Sequence, residues 1–364
     1  MKYLFILGRN TELSEEELKS FFEKEKINFR IISLVKNGLL AETEKIPGGI
    51  TDKLGGVISV GEVLATGDIP KELDKKTLYM GKSNKLNYVL FNFNGKDFED
   101  IQHYLKRRFR EEKLKATEKK LTGRISLQSG ENAFKVSSNL IDEQYFVFED
   151  NFGRIIETCD YEAIEKRDMG KPVRREALSV SPRLAKILVN LSQVKEGEIL
   201  LDPFCGIGAI LQEALLQNIK VIGIDKDKIA INNARLNIKW FGFKEKDYKL
   251  INGDSSKIKI QEVKAIATEP ELGELQKKIP SQERAKEIIG NFEKLMIMVL
   301  NNLKNKVKGR IVFTSPLILI GKKRVSCDFE RISSETGLRI VKGFPINEFR
   351  ENSIIGRSII IMEK

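Results

Sequence analysis

Leu200-Leu201-Asp202-Pro203-Phe204-Cys205-Gly206-Ile207-Gly208-Ala209-Ile210-Leu211 is the stretch on which the fold turns. Residues 198–201, leading into it, are short and apolar and read as a buried parallel strand. After it, residues 209–217 place Ile210, Leu211, Ala214 and Leu215 on one helical face. Two glycines make the tight turn between strand and helix. Glycine lets a backbone approach a ligand closely, and a helix end offers free N–H groups. Asp202 closes the strand, and open parallel sheets bind their ligands beyond strand ends of this kind. A structural turn without a ligand is the plain alternative.

The next acid narrows the ligand. Residues 219–225 form a second apolar strand ending in Asp225, 17 residues past Gly208. An acid at that tip can accept both hydroxyls of a ribose. A dinucleotide fingerprint needs a third glycine or small residue three positions after the second glycine. Gly208 is instead followed by Ala209-Ile210-Leu211, so the pyrophosphate pattern fails. S-adenosylmethionine carries adenosine without a pyrophosphate. The turn resembles the first motif of class I S-adenosylmethionine-dependent methyltransferases. It resembles in particular the RNA methyltransferases that modify guanosine at its 2-amino group. The resemblance implies that Asp202, Phe204, Gly206, Gly208 and Asp225 hold the cofactor. Asp254, at the tip of a third strand near residues 249–251, would accept the adenine amino group or simply cap a helix.

Composition agrees with a two-domain enzyme acting on a polyanion. The 364 residues suggest two domains, and 41% hydrophobic residues suffice for ordinary cores. The net charge is +11. Residues 1–170 hold 28 Lys and Arg against 29 Asp and Glu, whereas residues 171–364 hold 35 against 23. That surplus in the second half suits polyanion binding, although a solvated lysine-rich surface would look the same. No apolar run reaches membrane-spanning length, and residues 1–9 read as an opening strand rather than a signal peptide. Cys159, Cys205 and Cys327 are too scattered for a disulfide framework or a metal site, which points to a reducing cytoplasm. A single histidine, His103, argues against histidine-ligated metal and histidine catalysis.

The first half reads as α+β. Ser14 with Glu17 forms a capping box ahead of a helix carrying Leu18, Phe21 and Phe22. Asn37-Gly38 between apolar runs signals a hairpin. Residues 57–65 and 85–93 read as strands, and further strands are expected at 133–137, 145–149 and 154–158. Between residues 106 and 124 stand nine basic residues and three acidic ones. Lys106, Arg107, Arg108 and Arg110 cluster there around Leu105 and Phe109. The cluster is either an RNA-backbone contact or the solvated face of an amphipathic helix. This region is similar to the THUMP-containing RNA-binding part of several tRNA-modifying enzymes. Residues 159–176, rich in charge and broken by Gly170 and Pro172, read as the connection. A helix then starts near Ser181-Pro182. The resemblance implies that residues 177–181 lie against the methionine end of the cofactor.

The fourth strand, residues 263–268, runs into Thr268-Glu269-Pro270-Glu271-Leu272-Gly273. Amine methyltransferases of this type carry Asp or Asn, two prolines and an aromatic here. An exocyclic amine is a poor nucleophile, because its lone pair is delocalised into the ring. A side-chain acceptor and a backbone carbonyl hold its two hydrogens and aim that lone pair. The aromatic stacks on a base flipped out of its helix. By this resemblance Glu269 and Pro270 position the amine. The second proline is replaced by Glu271 and the aromatic by Leu272. The methyl donor's site is untouched by these changes, whereas the target base is put in question. Lys322, Lys323, Arg324, Arg350 and Arg357 add positive charge near the expected ligand edge, and solvated surface charge is the reading preferred for them.

The expected architecture is α/β: a Rossmann-like class I methyltransferase domain with a mostly parallel, doubly wound sheet over residues 177–364. An α+β THUMP-like domain (1–160) and a linker (161–176) precede it. The expected activity is S-adenosylmethionine-dependent methylation of RNA, foremost tRNA guanosine at N2, in the cytoplasm, with no metal and no membrane. Two alternatives share the residues: an RNA- and cofactor-binding protein that no longer catalyses, and an amine methyltransferase acting on DNA adenine or cytosine.

Overall fold

The structure is a computed structural model describing residues 1–120, 124–128, 132–134, 141–174, 180–273 and 278–364. The chain divides into two compact units. The first comprises Met1–Glu15, Glu25–Asp52 and Gly56–Asp160. Its sheet runs in the order Phe29–Val35, Gly38–Thr43, Lys2–Leu7, Val57–Thr66, Asn151–Thr158, Glu143–Phe148, Lys85–Phe93, Lys115–Glu118. Most pairs are antiparallel. Lys85–Phe93 is parallel to both its neighbours. A parallel neighbour needs a crossover, and the helix Phe98–Glu111 supplies the one leading to Lys115–Glu118.

That helix buries Ile101, Tyr104, Leu105 and Phe109. Phe109 meets Tyr88 and Tyr145, with ring centroids 5.2 and 6.2 Å away. Its basic residues divide by face. Arg108 is engaged within the fold: its guanidinium donates to Glu112 at 2.6 Å, to Asp74 at 3.3 Å and to the carbonyls of Leu73 and Lys76. Lys106, Arg107 and Arg110 face solvent. Lys106 stands 3.5 Å from Glu118, and Arg107 stands 3.9 Å from Glu111. Exposed pairs of this length contribute little.

Three local expectations shift by a residue or a turn. The helix beginning the chain is Thr11–Glu25, and its cap is Asn10, whose Oδ1 accepts the Leu13 N–H at 3.1 Å. Ser14 instead donates to the Asn10 carbonyl at 2.7 Å from inside the first turn. The hairpin pairs Val35 with Gly38, so its loop is Lys36-Asn37, with Lys36 at φ +54°. Asn37 is buried and donates from Nδ2 to the Leu7 carbonyl at 3.0 Å, a tertiary bond that outweighs local turn preference. The connection is not an irregular linker. Tyr161–Gly170 is a helix of the second unit with Ile164 buried, and Lys171, nearly buried, caps its end by pairing with Asp168 at 2.6 Å. Gly170 and Pro172 only terminate it. Residues 175–179 lie outside the described residues, as do 135–137 of the expected strand at 133–137.

The second unit comprises Glu16–Lys24, Lys53–Gly55 and Tyr161–Lys364. Its main segment starts at Tyr161, directly after the first unit's last residue, and two short earlier segments join it. Glu17 shows why: its Oε1 accepts from the Gly55 N–H at 2.8 Å and from Asn190 Nδ2 at 2.7 Å, with Glu17 and Asn190 both fully buried. A buried carboxylate needs such partners.

The sheet of the second unit follows the order Tyr248–Asn252, Lys220–Asp225, Ile199–Asp202, Ala265–Thr268, Ile311–Ile320, Ile355–Glu363, Arg339–Ile340. The first five strands are parallel, and Ile355–Glu363 runs antiparallel to both neighbours. Strand order reverses between Ile199–Asp202 and Ala265–Thr268. In a doubly wound sheet that reversal opens a crevice at the carboxyl ends of those strands. The long helix Gln282–Leu303, capped by Ser281, packs Ile288, Phe292 and Met296 into the core beside Leu201, Ile266 and Phe313. No helix among the described residues is long and apolar enough to cross a membrane.

Candidate active site

Asp202 and Thr268 end the two strands at the reversal, and they are hydrogen-bonded. Thr268 Oγ1 donates to Asp202 Oδ1 at 2.5 Å, and the Phe204 N–H donates to the same oxygen at 3.1 Å. Asp202 is fully buried. Desolvation, reinforced by the nearby carboxylates of Asp225 and Glu269, pushes its pKa up to about 7, against the pull of those two hydrogen bonds. The folded protein thus holds a proton there that the unfolded chain has released. That stabilisation is complete below the unfolded carboxylate pKa and is lost as pH rises through about 7. Asp202→Asn, neutral throughout, is expected to melt higher than the parent at pH 8, with a clearly smaller gap at pH 5. Thermal melts at the two pH values read this, at roughly 2–4 °C per kcal/mol; a gap independent of pH contradicts it.

The turn after Asp202 is shaped by its glycines. Gly206 and Gly208 have φ of +52° and +86°. A Cβ on Gly206 would meet nothing within 4 Å, so the space above the turn is open. Gly223 serves from beneath: a Cβ there would stand 2.6 Å from Leu211 and 3.0 Å from the Cys205 sulfur. Cys205 is buried in that contact, and burial raises its thiol pKa well above normal. It is unsuited to act as a nucleophile.

Asp225 locks this turn. Its two carboxylate oxygens accept the Gly206 N–H and the Asp227 N–H, each at 2.9 Å. Asp225 is half-buried. Each oxygen retains a lone pair, so vicinal hydroxyls can bind while the turn stays braced. Asn252 donates to the Asp225 and Lys226 carbonyls, both at 3.0 Å, and Ser255 donates to the Pro203 carbonyl at 2.6 Å. These bonds tie the third strand's loop to the turn. Asp254, on that loop, is exposed. It accepts from Ser256 N at 2.9 Å and Ser256 Oγ at 2.7 Å, which hold its carboxyl below the usual range. Open space over Gly206 and braced acids at two strand tips fit an adenosine-bearing cofactor.

Glu269 follows Thr268 directly. Arg357, read from the sequence as surface charge, is instead its partner. Arg357 Nε donates to Glu269 Oε2 at 2.7 Å and Nη2 to Oε1 at 2.9 Å. Thr314 Oγ1 lies 3.4 Å from Oε2. The Glu269 side chain is 10% exposed and that of Arg357 is 29% exposed. Pro270 is buried, and Leu272 packs against the core that contains Phe292. Arg324 is likewise engaged: it donates to the Ser353 carbonyl at 2.6 Å and stacks 4.3 Å over the Phe349 ring. Sequence reasoning also missed Thr268 and Thr314. Thr268, adjacent to Glu269, was the findable one. Among the described residues no cluster of three or more His, Cys, Asp or Glu is arranged to hold a metal ion.

Known proteins place this arrangement. A family profile described as an RMKL-like methyltransferase domain matches residues 172–313, and one described as a DNA methylase matches residues 76–236. The tRNA (guanine(10)-N2)-dimethyltransferase of Methanothermobacter thermautotrophicus is 43% identical over 96 residues, 26% of this chain and 28% of that protein. Its counterpart in Methanocaldococcus jannaschii is 33% identical over 156 residues, 41% of this chain and 39% of that protein. The match thus spans well under half the length of these two relatives. A probable tRNA (guanine(10)-N2)-dimethyltransferase of Methanothermococcus thermolithotrophicus is 32% identical over 157 residues, 41% of this chain and 85% of that protein. The crystal structure of TrmN from Thermus thermophilus shares the fold at a TM-score of 0.51 and 13% identity, with both chains covered in full. A relative matched over most of its length, on a sheet with this strand order, makes the chain a member of the tRNA (guanine-N2)-methyltransferase family.

Proposed function

We propose that this protein transfers methyl groups from S-adenosylmethionine to the exocyclic 2-amino group of guanosine in tRNA, at position 10 as the relatives' names have it. The observation that carries the reading is the carboxylate of Glu269, held at the strand end beside the braced Asp202–Gly208 turn. The cofactor supplies an electrophilic methyl group on a sulfonium. Asp225 takes the ribose hydroxyls, Gly206 leaves room for the nucleoside, and Gly208 lets the turn enter the helix close to Ala234. Phe204 walls the site, and Asp254 receives the adenine amino group beside Ser256. Glu269 accepts one N–H of the target amine, and the backbone at Pro270 takes the other. With the cofactor bound, the lone pair so aimed would take that methyl group, and the sulfur would keep the C–S electrons. The surplus proton departs to Glu269. The first unit, with Lys106, Arg107 and Arg110 on an exposed helix face, contacts the RNA backbone, and the protein works in the cytoplasm.

Labelled methyl incorporation tests this. Unmodified tRNA is expected to take up label, and the same tRNA with inosine for guanosine, which lacks the 2-amino group, is not. Equal labelling of both, or preferential labelling of duplex DNA, would refute the assignment and favour the DNA-amine alternative.

A further inference from the structure

The Glu269 carboxylate is saturated on one side only. A carboxylate offers about four lone-pair positions. Arg357 Nε and Thr314 Oγ1 both address Oε2, at 2.7 and 3.4 Å, while only Arg357 Nη2 addresses Oε1, at 2.9 Å. Among the described residues, three positions are therefore occupied and the fourth belongs to Oε1. The register explains how the guanidinium arrives. On Ile355–Glu363, Arg357 pairs with Pro316 of Ile311–Ile320, and Thr314 lies two residues along on the same face. The side chain of Arg357 thus crosses an intervening strand to reach the end of Ala265–Thr268. On its other flank, Arg357 pairs in register with Glu348.

We infer that Arg357 is the positioning residue that aims Glu269 Oε1 at the incoming amine, with Thr314 closing Oε2. The inference rests on the reading of Glu269 given above. The physical need for it lies in the motif itself. Glutamate has one more rotatable bond than aspartate, so ordering its carboxylate costs more side-chain entropy. Glu271 has removed a proline that would stiffen the backbone, and Leu272 has turned into the core. A planar guanidinium fork fixes the plane and both oxygens of a carboxylate, which a lysine ammonium cannot do. Arg357 restores from a distant strand the rigidity that the local sequence lost. It touches neither cofactor nor substrate.

The test compares Arg357→Ala, Arg357→Lys and Thr314→Val in methyl transfer to tRNA, alongside calorimetric S-adenosylmethionine binding. Both Arg357 variants are expected to lose ~10²-fold in kcat, the scale of a misplaced catalytic group, with KM for tRNA and cofactor affinity retained. Thr314→Val is expected to lose severalfold. Guanidinium ion, added below its denaturing range, should restore part of the activity of Arg357→Ala and none of that of Arg357→Lys. A merely structural arginine would not respond in that way. Unchanged kcat in Arg357→Ala, or a loss that guanidinium does not restore, overturns the inference. A parent protein that binds cofactor yet leaves guanosine unmethylated would fault the functional reading instead.

Discussion

Glu269→Gln is expected to reduce methyl transfer by about 10²-fold or more while S-adenosylmethionine still binds. The carboxylate meets three donors at once, two from Arg357 and one from Thr314. An amide presents one acceptor oxygen and one NH2 group, so one end of the Arg357 fork would face a donor. The acceptor left for the amine is weaker and misaligned. The substitution keeps the volume of the side chain, which separates loss of chemistry from loss of packing. Glu269→Ala is the harsher variant, because it strands a half-buried guanidinium and should also lower stability. Single-turnover transfer with saturating cofactor measures the effect. A glutamine variant with parental rates would remove Glu269 from the chemistry.

Asp225→Ala is expected to weaken S-adenosylmethionine binding by well over tenfold, more than any surface carboxylate does. Two losses combine. On the proposed reading the ribose loses its acceptor, and the Gly206 and Asp227 N–H groups lose theirs, both at 2.9 Å. The turn that must leave space for the nucleoside is then no longer braced. Glu262→Ala is the internal comparison, since Glu262 is an exposed carboxylate that pairs with Lys308. Calorimetry reads both variants. An Asp225→Ala variant with parental affinity would sink the ribose assignment.

The strand–turn–helix geometry behind the proposed cofactor site was legible because its signals are local. Asp202, Gly206, Gly208 and Asp225 lie within one strand–turn–helix–strand unit, where spacing alone predicts geometry. For the proposed amine site, the sequence pointed to Glu269-Pro270 and to none of the side chains packed around them. Arg357 lies 88 residues beyond Glu269 and meets it because Ile355–Glu363 inserts antiparallel beside Ile311–Ile320. No periodicity or motif in the chain carries that pairing. The same limit explains the basic helix. Its composition showed four cations, but only the fold turns Arg108 onto Asp74 and Glu112 and leaves the other three outward. Glu17 repeats the lesson: a capping-box pattern was real as a pattern, yet Gly55 and Asn190 claim the carboxylate.

On the proposed reading, a glutamate clamped from a distant strand serves where amine methyltransferases of this type carry aspartate or asparagine. Nucleoside mass spectrometry of unmodified tRNA, after incubation with the protein and labelled S-adenosylmethionine, tests it most directly. The account predicts labelled N2-methylated guanosine. An unlabelled digest, from a preparation that binds the cofactor by calorimetry, would contradict it and leave a binding protein that has lost its chemistry.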